Sequence, residues 1–90
     1  MAAKVDVVAE LVADNPGVSE VVLAVYGDCL RTYIKAAEHV RRHGAVVAHP
    51  RTGAPLQNPS LAIADLCAAR LQRYRTVKAD RVRRLLEGED

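Results

Sequence analysis

Positively charged side chains gather in the second half of this 90-residue chain. Residues 41–84 hold nine arginines and one lysine against two aspartates, a net charge of +8, whereas residues 1–40 carry −3 and the last six residues −3. Guanidinium groups make bidentate contacts with phosphates, and clustered cations release counterions from DNA. The pattern predicts a DNA-binding surface, and the alternative reading is a solvated helix face. The predicted DNA-binding residues are Arg41, Arg42, Arg51, Arg70, Arg73, Arg75, Lys78, Arg81, Arg83 and Arg84.

No constellation of residues predicts catalysis. His39 and His43 have the i, i+4 spacing of two metal ligands on one helix, but Val40 stands where an H-E-x-x-H motif has its glutamate. The carboxylates of the central region, such as Asp28 and Glu38, are isolated rather than paired for acid–base work. A glycine-rich phosphate loop is also missing. We therefore expect a protein that is not an enzyme and that holds neither a cofactor nor a metal.

Two long helices are predicted on either side of a compact turn. Gly44 is expected to end the first helix in a left-handed conformation, which glycine adopts without steric cost. Asn58 is expected to cap the second helix, with proline in the first helical position, where no hydrogen-bond donor is wasted. Between them, Val46–Ala48 and Pro55–Gln57 flank a turn-rich segment, which predicts a short β-hairpin. The predicted structural turn comprises Gly44, Gly53, Asn58 and Pro59.

The predicted helices carry apolar residues at helical spacing. Between residues 22 and 40 the apolar positions step by four, three, four, three and four residues, which is a heptad seam. The residues of this core or oligomer seam are Val22, Tyr26, Cys29, Tyr33, Ala36, Val40, Ile63, Cys67, Leu71 and Tyr74. Both cysteines are expected to be small buried residues. A shorter amphipathic helix is predicted from Ala2 to Asp14, with Asn15-Pro16-Gly17 as its end.

The expected fold class is all-α, in one domain over residues 1–90. The short helix and its turn occupy residues 1–17, an antiparallel long-helix hairpin with the β-hairpin at its turn occupies residues 18–86, and residues 87–90 form an acidic tail. So short a chain has a small core, here built mainly of Ala, Val and Leu, and we expect copies of the chain to associate. No apolar run approaches the roughly 20 residues that span a bilayer, so a soluble cytoplasmic protein without membrane contact is expected.

One segment resembles a known family. The order Tyr26, Tyr33, Ala36-Ala37, Gly44-Ala-Val-Val47, Gly53, Asn58-Pro59 and Leu61 resembles the short type of small terminase subunit from tailed phages and prophages. The resemblance covers residues 22–75, over half of the chain. Carried over by position, Gly44, Gly53, Asn58 and Pro59 would be the structural turn, and Tyr26 and Tyr33 core or interface positions.

The resemblance implies a non-catalytic component of a DNA-packaging machine in the bacterial host cytoplasm. Such a subunit assembles into a ring, recognises viral double-stranded DNA, and recruits or regulates the large terminase subunit, an ATPase and nuclease. Family members often follow the last helix with a leucine-threonine-proline-type segment and an arginine, whereas residues 75–78 here read Arg-Thr-Val-Lys. The resemblance therefore assigns no residues to contact with the large subunit.

Two other classes of function remain open from the sequence. One is a small dimeric DNA-binding regulator, such as an antitoxin or a prophage repressor, although the helix after Asn15-Pro16-Gly17 is too long and too apolar for an exposed recognition helix. The other is a structural helical adaptor that binds no DNA. Mass in solution separates a ring from a dimer, and DNA binding separates both from an adaptor.

Overall fold

The computed structural model describes residues 4–88, which are mostly helical, as the sequence predicts. The elements are α1 (Val7–Asp14), α2 (Glu20–His43), β1 (Val46–Ala48), β2 (Pro55–Gln57), α3 (Pro59–Gln72) and α4 (Asp80–Glu87). Positions 2, 3, 89 and 90, which were assigned to the first helix and the acidic tail, lie outside the described residues. No helix in residues 4–88 combines the length and the apolar character needed to cross a membrane.

Helix α1 begins later than its apolar spacing suggests. Residues 4–6 are not helical, and the Asp6 side chain accepts from the Ala9 amide at 3.1 Å, which is the contact of a helix N-cap. The prediction of helix is therefore wrong for residues 4–6. Helix α1 packs closely on α2 at Gly27, where a Cβ atom would lie only 2.8 Å from Val7 Cγ1. The sequence pattern alone does not indicate this contact.

Helix α2 ends before Gly44, as predicted, but Gly44 does not adopt the predicted left-handed helical conformation. Gly44 has a positive φ of 85°, and its amide donates to the Val40 carbonyl at 2.7 Å. Its ψ of 168° lies outside the left-handed helical region, in a conformation that is essentially restricted to glycine. Gly53, in the turn of the β-hairpin, also has a positive φ, of 72°. Both glycines therefore occupy backbone conformations that other residues rarely adopt.

The predicted β-hairpin is confirmed with the predicted bounds. β1 and β2 pair antiparallel, with Val46 opposite Gln57, Val47 opposite Leu56 and Ala48 opposite Pro55. The hairpin joins α2 to α3, and the residues of its two strands are exposed except for Val47, which is half-buried.

The antiparallel long-helix hairpin over residues 18–86 is not confirmed, because its second helix is interrupted. Helix α3 ends at Gln72, and a link over residues 73–79 leads to the separate helix α4. Val77 and Ala79 in this link are each 9% exposed and belong to the hydrophobic core, so the link is held by packing. If α3 continued straight, Val77 and Ala79 would lie on different faces of the helix, because residues two positions apart do not share a face. They could then not both pack in this core with Val82 and Leu86 of α4.

The core is centred where α1, α2 and α4 meet, and α3 packs along α2. Leu11, Leu23 and Val82 are completely buried, yet none of them belongs to the predicted seam. Within the seam the residues divide by burial: Tyr26, Cys29, Ala36 and Cys67 are buried, Val22, Tyr33, Val40, Leu71 and Tyr74 are partly buried, and Ile63 is exposed. Burial of the two cysteines is confirmed, and both are free thiols.

Candidate nucleic-acid interface

Five exposed cations surround the link between α3 and α4. They come from the last turn of α3, from the link itself and from α4, and we call them the link cluster: Arg70, Arg73, Arg75, Lys78 and Arg84. Within residues 4–88, no carboxylate forms a salt bridge with any of the five. Because their charge is uncompensated by a protein partner, these side chains are available to an anionic ligand.

Three members of the link cluster share a groove. Arg75, Lys78 and Arg84 line an open groove of about 580 Å³, together with Asp80 and the ion pair of Asp14 with Arg81. The floor is formed by Val77 and Ala79, the buried residues of the link. The apolar residues of the link are buried in the core, and its cations are exposed to solvent. The break between α3 and α4 thus determines where these charges lie.

Arg81, another predicted DNA-binding residue, is bound by two carboxylates. Its Nε lies 3.0 Å from Asp14 Oδ2, and its Nη2 lies 2.7 Å from Glu10 Oε2. The hydrogen bonds to Asp14 and then to Glu10 raise the pKa of Arg81 above its usual value. The geometry gives Arg81 a role in joining α4 to α1, since its guanidinium already has anionic partners.

Arg83 is also engaged within the chain. Its Nε donates to Glu87 Oε1 at 3.1 Å, and its guanidinium carbon lies 5.6 Å from the centre of the Tyr33 ring, within the range of a cation–π contact. Beneath α4, Tyr26 meets Tyr74 edge to face with ring centres 6.3 Å apart. Burial raises the pKa of Tyr26, an effect that the nearby Arg83 charge partly opposes.

The remaining predicted cations lie near the other end of α2. Arg42 Nη2 lies 2.6 Å from Glu38 Oε1, and Arg41 approaches the same oxygen at 3.9 Å. Arg51 is exposed in the hairpin turn, where its amide donates to His49 Nδ1 at 3.1 Å. The ten predicted DNA-binding residues therefore do not form one surface: five make up the link cluster, two are paired on α4, and three lie around the β-hairpin.

The structural turn is organised by Asn58, which is completely buried. Its Oδ1 accepts from the Ser60 amide at 3.0 Å, as predicted for an N-cap, and Pro59 follows in the first turn of α3. Its Nδ2 donates to the Gly44 carbonyl at 2.9 Å and to His39 Nδ1 at 3.1 Å. Because Nδ2 is a donor, His39 Nδ1 must accept, which leaves the ring proton of a neutral His39 on Nε2. The two donated bonds were not predicted from the sequence.

A second buried asparagine, Asn15, was not assigned any side-chain role from the sequence. It is 5% exposed, and its Nδ2 donates to the carbonyls of Leu11 and Lys78, both at 2.9 Å. Its Oδ1 accepts from the Lys78 amide at 2.7 Å. One side chain thus binds both the N–H and the C=O of a residue in the α3–α4 link, and this fixes the backbone beneath the link cluster.

The histidines do not gather with other potential ligands. The rings of His39 and His43 are tilted against each other with centres 4.4 Å apart. Among the described residues, no group of three or more His, Cys, Asp or Glu side chains is placed to hold a metal ion. Comparison of the chain with protein-family models, with curated proteins and with solved structures finds no match.

Proposed function

We propose that this protein is a non-catalytic, self-associating subunit that binds duplex DNA through the link cluster. The observation that carries the proposal is the contrast within one groove: Arg75, Lys78 and Arg84 have no carboxylate partner in the described part of the chain, whereas Arg81 has two. Cations held at a protein surface without a partner favour a polyanion, and binding releases the counterions condensed on DNA.

The mode of recognition follows from the shape of the interface. The link cluster lies on an open surface, and it offers guanidinium groups rather than an element fitted to read base edges. Contacts to phosphate position a protein on DNA but carry no sequence information directly. The binding proposed here is therefore largely independent of sequence and strongly dependent on salt.

Self-association is part of the proposal because large apolar side chains remain exposed. Val21 on α2 is 74% exposed, and Leu66 and Ile63 on α3 are 54% and 44% exposed. Helices α2 and α3 pack together, and their exposed faces would present these side chains to other copies of the chain. Repeating the link cluster in every copy would add weak phosphate contacts through multivalency.

The proposed biological setting is the packaging of phage DNA, with a large ATPase and nuclease subunit as partner. This setting rests on the resemblance of residues 22–75 to small terminase subunits. Support comes from the fact that Gly44 and Asn58, two residues that carry the resemblance, form a hydrogen-bonded unit at the α2–α3 turn. The role is therefore that of a DNA-binding partner to a catalytic subunit.

The proposal is tested by titrating duplex DNA at several salt concentrations. The double variant Arg75→Gln/Arg84→Gln removes two cations of the link cluster, and its log–log salt slope should fall by about two units. The variant Lys4→Gln/Lys35→Gln removes the same charge from exposed positions outside all predicted contacts, and its slope should stay close to that of the parent protein.

The outcomes separate the candidate functions. Equal slopes for the two variants would contradict a contact at the link cluster, and a parent protein that binds no DNA at low salt would favour a structural adaptor. Light scattering on the same samples separates a ring from a dimeric regulator, and a monomer at micromolar concentration would contradict self-association.

A further inference from the structure

The outer edge of β1 is a row of backbone groups that lack a backbone partner within residues 4–88. The amide of Asn58 donates to the Ala45 carbonyl, and the amide of His49 donates to the Ala54 carbonyl, both at 2.8 Å. In an antiparallel ladder the hydrogen-bonded pairs alternate with pairs whose backbone groups point away from the partner strand. Val46 and Ala48 occupy those alternate positions. Their N–H and C=O groups therefore point outward, and they bond to no other backbone group in residues 4–88.

The opposite edge of the hairpin differs in its chemistry. The outward positions of β2 are Pro55 and Gln57, which lie opposite Ala48 and Val46. Proline has no N–H, and natural sheets use it to block strand addition at an edge. The β2 edge therefore lacks one of its two donors, while the β1 edge keeps two donors and two acceptors in the spacing that an added strand requires.

The β1 edge is also held in place before any partner arrives. Asn58 fastens the base of the hairpin to Gly44 and His39, and His49 Nδ1 accepts from the amides of Arg51 and Thr52 in the turn. Val46 is 62% exposed, so the strand contributes little to the core. A partner binding to such an edge orders few additional protein groups, and this lowers the entropic cost of association.

Charge indicates the kind of partner. No Asp or Glu occurs from residue 39 to residue 64, and this stretch contains Arg41, Arg42, Arg51 and all three histidines. Glu38, just before the stretch, pairs with Arg42 and approaches Arg41, so three arginines face one carboxylate and the hairpin end keeps a positive charge. A second copy of β1 would bring this charge against its own equivalent, since antiparallel pairing places each turn beside the α2 end of the other copy. An acidic strand avoids that repulsion and complements the arginines on either side of the edge.

We propose that the outer edge of β1 binds an extended, acidic segment of a partner protein as a third strand. Main-chain hydrogen bonds to Val46 and Ala48 hold the segment, and its carboxylates face the cations of the hairpin end. This site does not depend on the DNA contact at the link cluster, because no residue is shared between the two surfaces.

The test follows the amide protons of Val46 and Ala48 by NMR during titration with a synthetic peptide of alternating valine and glutamate. We expect saturable shifts and slowed exchange at both amides, and much weaker binding of the matching valine–lysine peptide. The variant Ala48→Pro removes one outward donor without removing a bond of the hairpin, and Pro55 already occupies the position opposite. Its affinity for the acidic peptide should fall roughly tenfold, since a hydrogen bond is lost and the ring obstructs the edge.

The control variant is Gln57→Pro, which makes the same chemical change on the β2 edge and should leave peptide binding unchanged. Equal affinities of Ala48→Pro and the parent protein for the acidic peptide would overturn the proposal. Equal affinities of the parent protein for the lysine and the glutamate peptides would also overturn it, and this second comparison does not depend on the folding of a proline variant. Slowed exchange at the same amides on addition of duplex DNA would mean that this edge binds DNA rather than an acidic segment. Slowed exchange with rising protein concentration alone would mean that it binds a second copy of the chain. Unchanged DNA affinity of Ala48→Pro would keep this result separate from that for the link cluster.

Discussion

Two Asn-Pro pairs occupy opposite kinds of position in this protein. Asn15-Pro16 follows the end of α1, and Asn58-Pro59 begins α3. Both asparagine side chains are buried, and each makes three hydrogen bonds through its amide. In the described residues, no buried side-chain nitrogen or oxygen lacks a hydrogen-bond partner. The two pairs differ in the distance over which they act.

Asn58 binds residues that are at most 19 positions away, so it organises a local turn. Asn15 binds the backbone of Lys78, 63 positions along the chain. The same dipeptide therefore makes a local cap in one place, and in the other it joins the end of α1 to the segment between α3 and α4. Only the first of these roles can be inferred from neighbouring residues.

The largest expected effect is that of Asn15→Ala. The substitution leaves both the N–H and the C=O of Lys78 without their partner, and it also removes the bond to the Leu11 carbonyl. We expect a loss of about 3 kcal/mol or more in the free energy of unfolding, measured by urea denaturation. Ser19→Ala is the control, because Ser19 precedes α2 without a capping hydrogen bond and should change stability by less than about 0.5 kcal/mol. Equal effects of the two variants would show that the hydrogen bonds of Asn15 with Lys78 contribute little to the free energy of unfolding.

A smaller effect is expected for Asn58→Ala, about 2 kcal/mol, since it removes a cap and leaves the Gly44 carbonyl unpaired. Asn58→Ser retains a capping oxygen but lacks both donated bonds, so its stability should lie between that of Asn58→Ala and that of the parent protein. If Asn58→Ser unfolds at the same urea concentration as the parent, the bonds to Gly44 and His39 are not significant.

The smallest effect on stability is expected for Arg81→Gln. The variant loses the exposed ion pairs with Glu10 and Asp14, so its destabilisation should be less than that of Asn58→Ala and should diminish as salt is added. Its affinity for duplex DNA should stay near that of the parent, in contrast to Arg84→Gln, because Arg81 is already paired. A DNA affinity that falls equally for both single variants would contradict the division of the cations by their partners.

Much of the fold was accessible from local sequence. Gly44, Gly53 and the Asn58-Pro59 step predicted the turn between the helices, because each acts through its own backbone preference or through neighbours a few positions away. The strands Val46–Ala48 and Pro55–Gln57 were placed at their observed bounds for the same reason. By contrast, the break after α3 has no glycine or proline to mark it, and it depends on burial of Val77 and Ala79 against distant helices.

The candidate site was less accessible. The arginines were found from composition, but composition treats Arg81 and Arg84 alike. The partners of Arg81 are 67 and 71 positions away, at Asp14 and Glu10, and no periodicity within α4 indicates them. Likewise, which backbone groups of β1 point outward at Val46 and Ala48 depends on the register of the hairpin. The sequence restricts this register without determining it.

The contact of Asn15 with Lys78 also has a consequence for the order in which the chain can assemble. The contact of Asn15 with Lys78 closes a loop of 63 residues, whereas the contact of Asn58 with Gly44 closes one of 14 residues, so the first loop is longer by more than two doublings. Each doubling of loop length costs about 0.6 kcal/mol of chain entropy. We expect the turn between α2 and α3 to close first and the first and last helices to meet late. In a newly made chain the residues beneath the link cluster would then be the last to be fixed, so the proposed DNA-binding surface would form after the hairpin edge.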